Sequence, residues 1–108
     1  MIRRVRPMGL TNLVKLSVDF LKEGDAVIAY CPSLDLSAHG SSLEEAKKAF
    51  EETLALFMAE LKESGKLAQV LEDCGWKKVS HGGGQHPRPR WTPPVHLGNL
   101  QEEFAIPV

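Results

Sequence analysis

Only two cysteines occur in this 108-residue chain, Cys31 and Cys74, far apart in sequence. That scarcity excludes a metal knuckle and a dense disulfide framework, and makes a reducing cytosol the expected compartment. Long apolar runs are missing as well. Lys15 and Asp19 interrupt the apolar residues behind the basic start MIRRVRP, so no signal peptide is expected. No stretch approaches the roughly 18 apolar residues that a membrane span needs. An excess of one charge is also lacking: 13 Lys and Arg stand against 14 Asp and Glu, a formal net charge of -1. That balance excludes strong overall attraction to nucleic acid or anionic lipid. The middle of the chain has no arginine; Arg3, Arg4 and Arg6 stand near the front, Arg88 and Arg90 in the tail.

What is present fits one ordinary globular domain, with 43% hydrophobic and 25% charged residues. Val14, Leu16, Val18 and Phe20 alternate with polar residues, the period of a half-buried strand. Glu23-Gly24-Asp25 signals a turn, and AVIAYC (26–31) reads as a second strand, apolar on both faces. Beyond Pro32 and Ser33, Leu34, Leu36 and Ala38 alternate with Asp35, Ser37 and His39 as a short third strand ending at Gly40. Three strands joined by short turns predict an antiparallel meander.

The stretch HGSSLEEAKKAF (39–50) places histidine, serines and carboxylates close together, as a nucleophilic site would. It also matches a capping box, in which the Ser42 hydroxyl takes the Glu45 N–H and Glu45 reaches back to the Ser42 N–H. No base is placed to activate a serine, so helix capping is the reading adopted. Leu43, Ala46, Phe50, Leu54, Phe57 and Leu61 then follow at helical spacing, and Glu44 and Lys48 form an expected i,i+4 pair. Gly65 ends a helix of about 23 residues, roughly 34 Å long.

A short second helix is expected over 66–75, with Leu67, Val70, Leu71 and Cys74 on one side. The Gly/Pro-rich stretch 76–101 contains HGGG, but no strand leads into it and no helix follows, so it reads as a linker. EEFAIPV (102–108) reads as a final short strand, with Pro107 at its edge or end. The expected organisation is a basic arm (1–12), a core (13–75), a connection (76–101) and a terminal strand of the same domain (102–108).

The segment GDAVIAYCPSLDLSAHGSSLEEAKKAFEETLALFMAEL (24–61) resembles the core of HicB-type antitoxins. The resemblance lies in Tyr30, Pro32, Leu34 to Leu36, Gly40, Ser42 and Leu43 to Ala46, and extends to LEDCGWKK (71–78) and FAIPV. It implies an α+β, two-layer βββαβ fold of the partial ribonuclease-H-like kind, with one long helix on a mixed sheet. The short second helix and the Gly/Pro-rich tail are additions to it. It further implies a non-catalytic protein, without cofactor, that binds and neutralises a small RNA-cleaving toxin of the HicA type. The residues after the first helix show no counterpart of the added DNA-binding segment of many such antitoxins, so a domain-only member is what the resemblance leads one to expect.

A ribonuclease-H-like fold invites a nuclease reading, which needs carboxylates converging on two magnesium ions about 4 Å apart. Asp19 faces away from Val14, Leu16 and Phe20 by strand parity, while Glu44, Glu51 and Glu52 lie on the outer side of the helix, so these acids do not converge. His39, His81, His86 and His96 with the two cysteines show no ligand spacing, and no metal site is expected. Tyr30, Pro32, Asp35 and His39 form the expected partner surface. Arg3, Arg4, Arg6, Arg88 and Arg90, with Trp91 for stacking, are candidate nucleic-acid contacts in an alternative reading as a regulator. Apolar area is also expected to remain exposed: Ala49, Thr53 and Leu56 beside the helix core stripe, and Ile28 or Tyr30 on the open sheet face. A homodimer through that face or an edge strand is expected. The competing arrangement folds residues 76–101 over it, with Trp76 and Trp91 as plugs.

Overall fold

The computed structural model describes residues 13–80 and 89–107. The chain is α+β. Strands β1 (Asp19–Glu23), β2 (Ala26–Cys31) and β3 (Leu36–Gly40) form an antiparallel meander in that order. The two-residue turn Gly24–Asp25 joins β1 to β2, fixing Glu23 opposite Ala26 and Asp19 opposite Tyr30. In β2 and β3, Ala29 faces Ala38 and Cys31 faces Leu36, and Ala29, Cys31 and Ala38 are buried. These residues face the helix side; their neighbours Ile28 and Tyr30 point to the other.

Helix α1 (Leu43–Ser64) is the expected one. Its first turn is capped as a variant of the capping box: Ser42 Oγ accepts the Glu45 N–H at 3.1 Å, while Glu45 Oε1 takes the N–H and hydroxyl of Ser41, not the N–H of Ser42. Those bonds hold the Glu45 carboxyl below its ordinary value, Ser41's hydroxyl contributing most. At the far end Gly65 adopts a left-handed conformation (φ 75°). The Gly65 N–H bonds to Lys62 and the Lys66 N–H to Leu61, the paired bonds of a Schellman closure. The ion pair on this helix is Lys47–Glu51 at 3.4 Å, rather than the expected Glu44–Lys48.

The core contains Ala29, Cys31, Leu34, Ala38, Ala46, Phe50, Leu71 and Trp76. Along α1, Ala46 and Phe50 are buried, while Leu54, Phe57 and Leu61 are half-buried. Lengths explain the gradient. The helix runs about 33 Å, whereas strands of five or six residues cover only about 17–20 Å, so its C-terminal half overhangs the sheet. Helix α2 (Leu67–Asp73) packs against α1 and buries Leu71.

Three expectations need correction. The first strand does not span Val14–Phe20; it begins at Asp19. Val14, Leu16 and Val18 are half-buried against the core without ladder partners, so their alternation records side-chain packing rather than pairing. The expected connection carries a hairpin, β4 (Lys77–Ser80) with β5 (Pro89–Thr92), because Lys78 stands opposite Trp91 and places its ammonium 5.6 Å from the ring centre. The final strand over 102–108 is not formed: residues 102–107 are exposed and unpaired in any sheet, and Val108 lies outside the described residues. The sheet is consequently antiparallel rather than mixed.

Gly40 sets the closeness of sheet and helix. A methyl group there would stand 2.7 Å from the Ala46 backbone nitrogen and 2.7 Å from Glu45 Cβ. Neither neighbour yields without unseating the helix N-terminus. Gly40→Ala is expected to destabilise the fold by about 1–3 kcal/mol, read from urea unfolding. An unchanged midpoint would show that this contact does not limit the packing.

Candidate functional site

The β2–β3 turn, residues 32–35, gathers most of the unusual local chemistry. Cys31 ends β2 pointing into the core, and the chain then closes two successive tight bonds, Leu34 N–H to Cys31 O and Asp35 N–H to Pro32 O. Leu34 is buried beneath the turn, leaving Pro32 and Asp35 exposed. Asp35 takes positive φ (52°), a conformation that Asp tolerates better than most residues. Its carboxylate accepts a 2.9 Å hydrogen bond from the Tyr30 hydroxyl. That bond pushes the Tyr30 phenol above its ordinary value, helped by burial and by the Asp35 charge.

Trp76 holds the turn from behind. Its indole N–H donates to the Ser33 carbonyl at 2.8 Å, and the ring is 5% exposed. The side chain belongs to the same core as the helix-facing strand residues, so Trp76 is not a plug for the open sheet face. Trp91 is half-buried, packs against this core and carries Lys78 on its ring. Beside the turn lies a cleft of about 430 Å³, lined by Lys15, Ser17, Pro32, Ser33, Cys74 and His96 among others. Burial pushes the Cys74 thiol up, away from a reactive thiolate.

The four expected partner residues divide. Tyr30 and Asp35 are joined. Tyr30 and His39 share the open sheet face, with Tyr30 opposite Ser37 and His39 opposite Ile28. Pro32 points into the cleft instead. Of the candidate nucleic-acid contacts, Arg3, Arg4, Arg6 and Arg88 lie outside the described residues, as do His81 and His86. Arg90 is exposed on β5 beside Trp91. Asp19 stands on the open face opposite Tyr30, with the sheet between it and α1. Among the described residues no three His, Cys, Asp or Glu side chains are placed to hold a metal, and no helix is long and apolar enough to cross a membrane.

The sequence points to Trp76 only as a plug for the sheet face, and gives no sign of its bond to Ser33 or of the cleft that Lys15, Ser17 and Ser33 share. Their proximity arises from contacts between distant segments, which no local periodicity signals. Compared with known proteins, the chain matches no family model, no curated protein and no solved structure.

The Tyr30–Asp35 bond gives a direct titration test. The Tyr30 phenol is expected to ionise above 10.0, and Asp35→Asn to move its midpoint back toward that value, by ultraviolet difference spectroscopy. An identical midpoint in the variant would show that Asp35 does not govern this group.

Proposed function

We propose that the protein is a non-catalytic, HicB-like binding protein that neutralises a small HicA-type RNA-cleaving toxin in the cytoplasm, on a partial ribonuclease-H-like scaffold. The observation that carries this reading is the role of the family-like residues in 24–61. Tyr30 is bonded to Asp35 across the turn, Gly40 lets the helix close on the strand, and Ser42 caps that helix. The resemblance thus rests on residues that work together as one unit, ending in an exposed turn suited to a partner. The position of Asp19, on the face opposite α1 and its acids, supports binding over magnesium-dependent cleavage.

On this reading Pro32 and Asp35 contact the toxin, and Tyr30 fixes the Asp35 carboxylate toward it. Titration calorimetry with a purified HicA-type toxin is expected to give a stoichiometric complex and proportional loss of RNA cleavage. Asp35→Ala is expected to weaken the complex at least tenfold, while Lys47→Ala, on the exposed side of α1, leaves it unchanged. Absence of any complex at micromolar concentrations would end this reading.

One observation favours a second reading, a nucleic-acid-binding regulator. Residues 74–101 contain no acid, and the hairpin within them sets Lys78 on the Trp91 ring, with Lys77 and Arg90 on the other face of the ribbon. Such a surface suits phosphate contact with base stacking. A single-stranded RNA complex whose affinity falls steeply between 50 and 200 mM salt, roughly as expected for several phosphate contacts, and which Lys78→Ala weakens, would favour it over toxin binding.

A further inference from the structure

Two apolar surfaces among the described residues are only partly covered, and they complement one another. The first is the centre of the sheet face turned away from α1, where Leu21 is 51% exposed opposite Ile28, with Ala26, Ile28 and Tyr30 half-buried and Asp19, Glu23, Ser37 and His39 on the same face around them. None of Leu21, Ala26, Ile28 and Tyr30 belongs to the core cluster or to the residues packed on it. The second is the segment after Pro94, in which Leu97, Leu100, Phe104 and Ile106 are 94%, 71%, 68% and 67% exposed. A sheet of three short strands with one open face is a marginal arrangement in water, and so is a row of four large apolar side chains on an extended segment.

The path of the chain separates the two surfaces within one molecule. Pro94 packs beside Gly75, at the end of α2, so the segment departs from the helix side of the core. The proline pair Pro93–Pro94 removes two backbone donors and stiffens that departure.

We infer that residues 97–107 are an exchange arm, which seats Leu100, Phe104 and Ile106 on the Leu21–Ile28 face of a second copy of this chain while receiving the reciprocal arm. A two-fold exchange satisfies both surfaces with one repeated contact and leaves no open end for further addition. Two arms and the two faces they cover bury on the order of 1,600 Å², the size of a stable protein interface. The β2–β3 turn lies at the opposite end of the strands from the Gly24–Asp25 turn, so Pro32 and Asp35 stay open to another partner. His39, opposite Ile28, borders the arm. The inference does not depend on what that other partner is.

Light scattering of the full chain at tens of micromolar is expected to give twice 11.9 kDa. Deleting residues 97–108 is expected to raise the dimer dissociation constant at least a hundredfold, and Phe104→Asp with Ile106→Asp to act likewise. Leu21→Glu, on the receiving face, is expected to have the same effect; these sites are exposed, and circular dichroism checks that each variant stays folded. In a dimer mixed from isotope-labelled and unlabelled chains, filtered NOEs are expected between the Phe104 ring and the Leu21 and Ile28 methyls of the other copy. A wild-type monomer, or a dimer of unchanged affinity after the deletion, overturns the inference. So does a dimer that needs the arm but tolerates Leu21→Glu, since the arm would then dock elsewhere.

Discussion

The hydrogen bond from the Trp76 indole to the Ser33 carbonyl joins parts of the chain that no other side-chain hydrogen bond among the described residues connects. Trp76 also closes α2, its backbone N–H bonding to Leu71 O, and stands immediately before β4. One residue therefore fixes the end of a helix, the start of the hairpin and the rear of the β2–β3 turn. A fully buried carbonyl deprived of its donor costs about 1–3 kcal/mol, and the part-buried Ser33 carbonyl up to about that much, which is a sizeable share of a small domain's stability. Held from behind in this way, the turn keeps Asp35 in its left-handed conformation, and Asp35 in turn orients Tyr30.

The second constraint is one of size. A helix of 22 residues lies on strands of five or six, so among the described residues a helix covers one sheet face and none covers the other, and the far half of α1 relies on α2 for packing. The closeness of the covered side comes from small residues: Ala29, Ala38, Ala46 and Gly40 meet where sheet and helix approach most nearly. The core is thin as a result. Binding surfaces follow from that economy, because a layer with one covered face presents its other face to whatever fits it.

Elements with strong local periodicity were legible before the structure. The helix from Leu43, its Ser42 cap, its glycine stop and the strand AVIAYC all fell within a residue or two of where they form. Pairing was harder. The alternation at Val14, Leu16 and Val18 has the right period but no partner strand, whereas β1 is exposed along its whole length and owes its place to the register set by the Gly24–Asp25 turn. The hairpin was hidden because Lys77, Lys78 and Pro89 are poor strand formers, and the cross-strand contact between Lys78 and Trp91 has no local signature. Phe104 and Ile106 alternate as a strand would, yet no strand among the described residues pairs with them. In the candidate site, Tyr30 and Asp35 were legible as members of one group because they stand close in sequence, at the end of β2 and in the turn after it, whereas the hydrogen bond between them was not. The support from Trp76 was not, since it depends on tertiary folding alone.

The central functional claim is that an exposed turn, rather than a catalytic centre or the basic hairpin, meets the partner. Amide hydrogen exchange of the full-length protein with and without a HicA-type toxin tests it most directly. Slowed exchange is expected across residues 32–37, with β4 and β5 unchanged. Protection confined to the hairpin, with the turn exchanging as fast as in the free protein, would contradict it.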